Sequence, residues 1–267
     1  MRDDGNAQAW VRTAERAARA GWDALRPYWE RTLALEVSAK GTHDFVTEAD
    51  LASQRAIAAV VSAEHPDHLL LGEEGEQVRL DGERPVWIVD PLDGTTNFIH
   101  GNPVFGVSIG CWHDGRVVAG AVLDPLRGEL FTARRGGGAF CNGRRLAVSP
   151  RDGLDDALIG TGFPFRRIER LEQYLGTFRE VLARASGIRR PGSASIDLAW
   201  VAAGRYEGFW EEGLGPWDVA AGSLLIEEAG GVVSDFAGGD DWLTGGTFVA
   251  GAPGVHRDLR EIVARHQ

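Results

Sequence analysis

The sequence predicts a mixed α+β / α/β fold, with an antiparallel sheet in the first half and a mixed, helix-covered sheet in the second. Three observations carry that reading. Between Val104 and Ala133 three β-rich runs are parted by Asp114-Gly115, a strong hairpin signal, and by Pro125-Leu126-Arg127-Gly128. From Ala157 onward, short apolar strands alternate with helical patterns, which calls for a sheet covered by helices. The chain of 267 residues, 43% hydrophobic and 25% charged, is long enough to bury a core without disulfide or metal staples.

The elements follow in order. From Ala7 to Trp29 apolar residues recur at helical spacing (Trp10, Ala14, Ala17, Trp22, Leu25), with Pro27 expected to bend or end the helix. Thr47-Glu48-Ala49-Asp50 reads as a capped helix start, with Leu51, Ile57, Val60 and Val61 on the inner face and His65-Pro66 as the stop. Leu69–Leu71 and Val86–Val89 read as buried strands before the hairpin region. In the second half strands are expected at 157–160, 188–190, 208–211, 232–235 and 248–250. Helices are expected at 167–185, 193–203, 216–229 and 255–265. No linker or repeat interrupts the chain. It is expected to form one compact unit over 1–267, with an N-terminal half to about 148, a C-terminal half from about 149, and a turn-rich seam at Pro150–Gly153.

Charge narrows the function. Twenty-eight Lys and Arg stand against 39 Asp and Glu, a net −11, which argues against direct nucleic-acid binding. An acidic protein that handles an anion needs cations to do so. The two cysteines, Cys111 and Cys141, lack CxxC spacing and read as free thiols, not a disulfide or zinc site. The acidic start Met1-Arg2-Asp3-Asp4 has no apolar segment after it, and no apolar run approaches the ~20 residues of a membrane span. A cytoplasmic protein is expected.

The most informative segment is Trp87-Ile88-Val89-Asp90-Pro91-Leu92-Asp93-Gly94-Thr95-Thr96-Asn97-Phe98. An apolar strand runs into an acidic turn that opens a helix, and the turn can aim Asp90 and Asp93 at one point. Pro91 stiffens it, and Gly94 lets a ligand approach the backbone. Amides of Gly94, Thr95 and Thr96 would favour an anion there. Two acids beside an anion cradle repel the anion unless hard cations sit between them, and oxygen ligands of this kind suit Mg²⁺.

The segment from Asp90 to Asn97 resembles the signature of the inositol monophosphatase family of Mg²⁺-dependent, lithium-sensitive sugar phosphatases. Three further segments resemble the family in the same order: Val46-Thr47-Glu48-Ala49-Asp50, Gly72-Glu73-Glu74, and Trp217-Asp218-Val219-Ala220-Ala221-Gly222 followed by Glu228-Ala229-Gly230-Gly231. The resemblance implies a layered αβαβα sandwich, of the type shared with fructose-1,6-bisphosphatase, and a homodimer. It implies Glu73, Asp90 and the Leu92 carbonyl as ligands of a first ion, and Asp90, Asp93 and Asp218 as ligands of a second. A third, weaker ion would lie near Glu73. Asp50 and Thr95, with Glu73, match the residues that prepare the attacking water, and Lys40 aligns with a lysine near the site only across a one-residue gap. Four acids bring four negative charges, which two Mg²⁺ ions cancel.

No Cys-x5-Arg run is present, and Ser193 and Ser195 lack a histidine nearby in sequence, so a covalent nucleophile is not expected. Metal-activated water is expected to attack a small phosphate ester in line. Asp93, Gly94, Thr95, Ala194, Glu211 and Asp218 match the family's substrate contacts, with Glu212 a competitor to Glu211 for the sugar hydroxyls. The leading expectation is hydrolysis of myo-inositol monophosphate or a related polyol phosphate. The alternatives are histidinol phosphate as substrate and a non-catalytic partner role in transcription. Other features read as structural. His43, His65, His68, His100 and His113 lack paired ligand spacing, Gly160-Thr161-Gly162 lacks the third glycine of a dinucleotide fingerprint, and Gly136-Gly137-Gly138 reads as a turn. Arg166-Arg167 and Arg189-Arg190 are candidate contacts to phosphate or leaving group.

Overall fold

The structure is a computed structural model that describes residues 3–31, 37–41, 44–73, 78–80, 83–165 and 167–267, apart from the side chains of 3–5, 37–41 and 44–46. The side chain of Lys40, and His43, Glu74 and Arg166, lie outside the described residues.

Helix α1 (Asp3–Trp29) precedes a short antiparallel pair, β1 (Val37–Gly41) and β2 (Asp44–Thr47), and then α2 (Glu48–Glu64). Pro27 neither ends α1 nor stops its last turn, since the helix runs two residues further. So close to the end, a proline removes only one intrahelical bond, while Leu25, Ala17 and Ala18 are fully buried. Thr47 caps α2 as its sequence predicts: its hydroxyl accepts from the Ala49 N–H at 3.1 Å, and Asp50 reaches back to the Thr47 N–H at 2.9 Å.

A seven-stranded sheet follows, in spatial order β3 (Leu69–Gly72), β4 (Val86–Asp93), β5 (Gly106–His113), β6 (Arg116–Asp124), β7 (Glu129–Arg134), β8 (Gly138–Cys141) and β9 (Arg144–Arg145). Asp114 and Gly115 both have positive φ, 50° and 74°, which a two-residue type I′ hairpin requires. The sheet is antiparallel except at its edge, where β3 runs parallel to β4. The long connection from Glu73 to Pro85 allows that parallel crossover. It also sets Gly72 opposite Val89, so Glu73 emerges beside Asp90.

The second sheet has the order β11 (Gly187–Arg189), β10 (Leu158–Thr161), β12 (Gly208–Glu212), β14 (Thr247–Gly251) and β13 (Val232–Ser234), and mixes parallel and antiparallel pairs. Helices α3 (Thr95–Ile99), α4 (Leu171–Leu182), α5 (Ala194–Ala202), α6 (Pro216–Glu228) and α7 (Pro253–Arg265) complete the chain. The expected helix over 167–185 begins instead as a 3₁₀ turn at Ile168–Arg170.

Alternation along the strands builds the layers. Trp87 and Val89 of β4 pack on α1 and α2, while Val86 and Ile88 face α5 and α6. The other side of α5 and α6 meets Phe209, Phe248 and Ala250 of the second sheet. That sheet's far face, through Ile159, Trp210 and Val249, packs on Val181 of α4 and on Leu259 and Ile262 of α7. The order is therefore helix, sheet, helix, sheet, helix. No helix among the described residues is long and apolar enough to cross a membrane.

Candidate active site

The acids converge through strand irregularity and helix capping. On β4, Asp90 stands opposite Ser108 and Asp93 opposite Gly106, so three steps on one strand match two on the other. This bulge, spanning Pro91 and Leu92, bends the strand end and turns both aspartates into one cavity. Asp218 arrives from the other half as the third residue of α6, after Pro216 at the first position. Its Oδ2 accepts from the Gly215 N–H at 2.6 Å. One carboxylate oxygen from each of Asp90, Asp93 and Asp218 lies within 4.8 Å of the others.

Electrostatics make this arrangement costly without cations. Burial, and then the charges of Glu73, Asp93 and Asp218, push the Asp90 carboxyl well above the usual carboxylate range. Burial also raises Asp93, against donors from Ser193, Ser195 and Ala194 that favour its charged form. Two unit charges about 4 Å apart repel by about 4 kcal/mol at an effective dielectric near 20. The donor set of carboxylates plus the adjoining Leu92 carbonyl is the hard-oxygen set that divalent Mg²⁺ or Ca²⁺ takes, and it has no soft or imidazole ligand. The residues present fit such ions.

A cavity of about 280 Å³ opens over the cluster. Glu73, Asp90, Leu92 and Asp93 line its floor, with Gly94, Thr95, Ala194, Glu211, Glu212 and Asp218 around them. Asp50 is fully buried behind Thr95 and does not line the cavity. Its Oδ2 accepts from the Thr47 N–H and hydroxyl, and its Oδ1 lies 3.1 Å from the Thr95 hydroxyl. That hydroxyl is also 3.0 Å from the Leu92 carbonyl, so its single proton is shared between two acceptors. The amides expected to form an anion cradle sit at the start of α3, which is only five residues long, with Gly94 at φ 92°.

Glu211 and Glu212 separate in role. Arg170 holds Glu212 at 3.2 Å, with Arg167 at 3.7 Å. Glu211 packs against Gly162, where a Cβ would fall 1.8 Å from its Oε1. Of the candidate arginines, Arg190 lines the cavity with its guanidinium 5.2 Å from both the Phe163 and Phe165 rings, whereas Arg189 does not.

Three features of the site escape the sequence reading. Ser193 and Ser195 hold Asp93; Gly162 leaves room for Glu211; and Asp197, buried at 1% exposure, lines the cavity wall. Two of these carry a signal in the sequence: Gly192-Ser193-Ala194-Ser195 resembles the family's substrate loop, and Asp197 is the one charged residue in the apolar helix Ala194–Ala202.

The sequence pattern described as the inositol monophosphatase family matches residues 6–267. The chain belongs to the inositol monophosphatase family. This family member is 49% identical to the Nus factor SuhB of Pseudomonas aeruginosa, across 97% of each protein. It is 47% identical to the inositol-1-monophosphatase of Rhizobium meliloti, across 92% of each. Its fold superposes on the crystal structure of the extragenic suppressor protein suhB from Bartonella henselae with a TM-score of 0.90, at 43% identity, covering 96% of this chain and 98% of that one. Family and relatives make the chain a phosphoric monoester hydrolase, and the layered α/β architecture is the one its solved relatives share.

Proposed function

We propose that this chain hydrolyses myo-inositol monophosphate or a related small polyol phosphate with Mg²⁺, two or three ions, held by Glu73, Asp90, Asp93, Asp218 and the Leu92 carbonyl. The observation that carries the reading is the meeting of Asp90, Asp93 and Asp218 within 4.8 Å, beside Glu73, on a cavity floor. Bound there, the ions supply positive charge that admits a phosphate dianion and acidifies water.

The chain's own groups do the rest. Thr95 donates its hydroxyl proton to Asp50 Oδ1, and its oxygen, on the cavity wall, accepts a proton from the attacking water. Asp50 is fixed for this by its two bonds from Thr47. Gly94 and Thr95 amides position the phosphoryl group, and Ala194 and Glu211 on the opposite wall face the leaving alcohol.

The test is phosphate release from inositol 1-phosphate, histidinol phosphate and adenosine 3′,5′-bisphosphate, with Mg²⁺ and with chelator. Release from the inositol ester that chelator abolishes is the expected result. Histidinol phosphate as the best substrate would install the alternative, since a glutamate such as Glu211 also suits an ammonium. A second role is favoured by the 49% identity to a protein named a Nus factor: a partner role in transcription, tested by pull-down with RNA polymerase components. The reading extends to a homodimer in the cytoplasm, which the family resemblance supports and light scattering and cell fractionation test.

A further inference from the structure

Asp197 has no part in the scheme above, yet it is among the most anomalous side chains in the protein. It sits in the first turn of α5 with 1% exposure, and its Oδ1 is buried without a hydrogen-bond partner among the described residues. An orphaned buried polar atom costs about 1–3 kcal/mol, so a fold retains one only where something else satisfies it. Asp197 lines the cavity, on the side of Glu211 and Arg190. Its charged neighbours are Glu211 and Asp93, which repel a negative charge, and Arg190, which attracts one.

We propose that Asp197 is a specificity residue that receives a hydroxyl of the leaving alcohol, forming with Glu211 a two-carboxyl subsite for adjacent hydroxyls of a polyol. This rests on the phosphomonoesterase reading. The chemistry of the pair selects the ligand class. Burial and the neighbouring acids push the Asp197 carboxyl well above the usual carboxylate range, which favours its protonated form, and a protonated carboxyl accepts through one oxygen and donates through the other. A hydroxyl likewise donates and accepts, and the neighbouring hydroxyl of a diol donates to Glu211. An ammonium group only donates, and so matches a neutral carboxyl less well. Arg190, seated on Phe163 and Phe165, closes the wall behind the pair.

The test compares inositol 1-phosphate with cyclohexyl phosphate, an ester of the same ring without hydroxyls, in wild type, Asp197→Ala and Asp197→Asn. Expected for Asp197→Ala is a fall of about 10- to 100-fold in kcat/KM on the inositol ester, mostly in KM, with the cyclohexyl ester changed by less than about threefold. Asp197→Asn, which also donates and accepts, recovers most of the loss. Melting temperatures of both variants should stay at or above that of wild type, because an orphaned acid has been removed. Equal losses on both esters, or no loss on the inositol ester, overturn the proposal. A wild type that hydrolyses the two esters equally well overturns it too. A wild type that releases phosphate from neither, with Mg²⁺ present, instead overturns the phosphomonoesterase reading on which it stands.

Discussion

Ser195 gives both its backbone N–H, at 2.7 Å, and its hydroxyl, at 2.5 Å, to Oδ2 of Asp93, 102 positions earlier. Ser193 adds a third donor at 2.6 Å to the same oxygen. One oxygen of an acid on the first sheet is thus saturated by the start of α5. Asn97 ties the same loop down, its amide donating to the carbonyls of Pro191 and Gly192 at 2.8 and 3.3 Å. The acid cluster is therefore assembled across both halves, and its geometry depends on their docking.

Ser195→Ala should weaken Mg²⁺ activation without unfolding the protein. A hydrogen bond to a charged group contributes about 1.5–3 kcal/mol, and the Ser193 hydroxyl and the Ser195 and Ala194 N–H groups remain on Asp93, so the half-activating Mg²⁺ concentration should rise about tenfold. The measurement is initial rate against Mg²⁺ concentration. An unchanged activation curve would show that the serine does not orient Asp93.

Asp90→Asn should separate stability from activity. Removing one buried like charge relieves the repulsion that raises the Asp90 carboxyl, so the variant should melt higher than wild type in chelator, by about 2–4 °C for each kcal/mol relieved. Mg²⁺ should raise the wild-type melting temperature through binding to the native state, and the variant's much less. Turnover should fall about 10³-fold. Calorimetric scans with and without Mg²⁺, alongside rates, read all three effects.

Gly162→Ala should act on substrate recognition. The new Cβ would overlap the Glu211 carboxylate, a movable side-chain end, so Glu211 must swing away and the fold survives. KM for the inositol ester should rise about tenfold with the melting temperature nearly unchanged. A large drop in stability with normal KM would mean that the strand, not the carboxylate, had shifted.

His256 sets a pH dependence of stability. It is buried at 8% exposure, bonded to the Ser234 hydroxyl at 2.8 Å, and burial, reinforced by Arg260, lowers its pKa to about 4. The unfolded chain takes up this proton near pH 6.5 and the folded chain only near 4. The contribution is therefore intact above pH 6.5, declines as pH falls, and is gone by about 4. Between pH 7 and 5, wild type should lose about 1–2 kcal/mol more than His256→Gln in urea unfolding.

Much of this protein was legible in its sequence because local rules decided it. Asp114-Gly115 marked a true hairpin and Thr47 a true cap, and the period-2 and period-3.6 patterns found most strands and helices within a few residues, though not β1, β2, β8 or β9, and Leu51 faces outward instead of inward. The parallel pairing of β3 was not legible, because register depends on a crossover and not on the strand's own residues. The resemblance named the acids that meet, but the partners of those acids are tertiary. Ser195, Gly162 and Asp197 take their meaning from elements far away in the chain, and an isolated serine, glycine or aspartate in sequence says nothing of what faces it.

Asp50 and Asp218 share a second occupation, since each sits at the third position of a helix and satisfies a backbone N–H at its start. Exchanging either for alanine forfeits about 1 kcal/mol of helix anchoring whatever the protein is used for. A descendant that had abandoned chemistry and survived only as a scaffold would still be pressed to keep both. Asp90 caps no helix: it accepts the Leu92 N–H at 3.0 Å within its own bulge, but burial and the neighbouring acids still make its charge a burden on the folded chain without cations. Its presence, more than that of the two capping acids, testifies to a working enzyme.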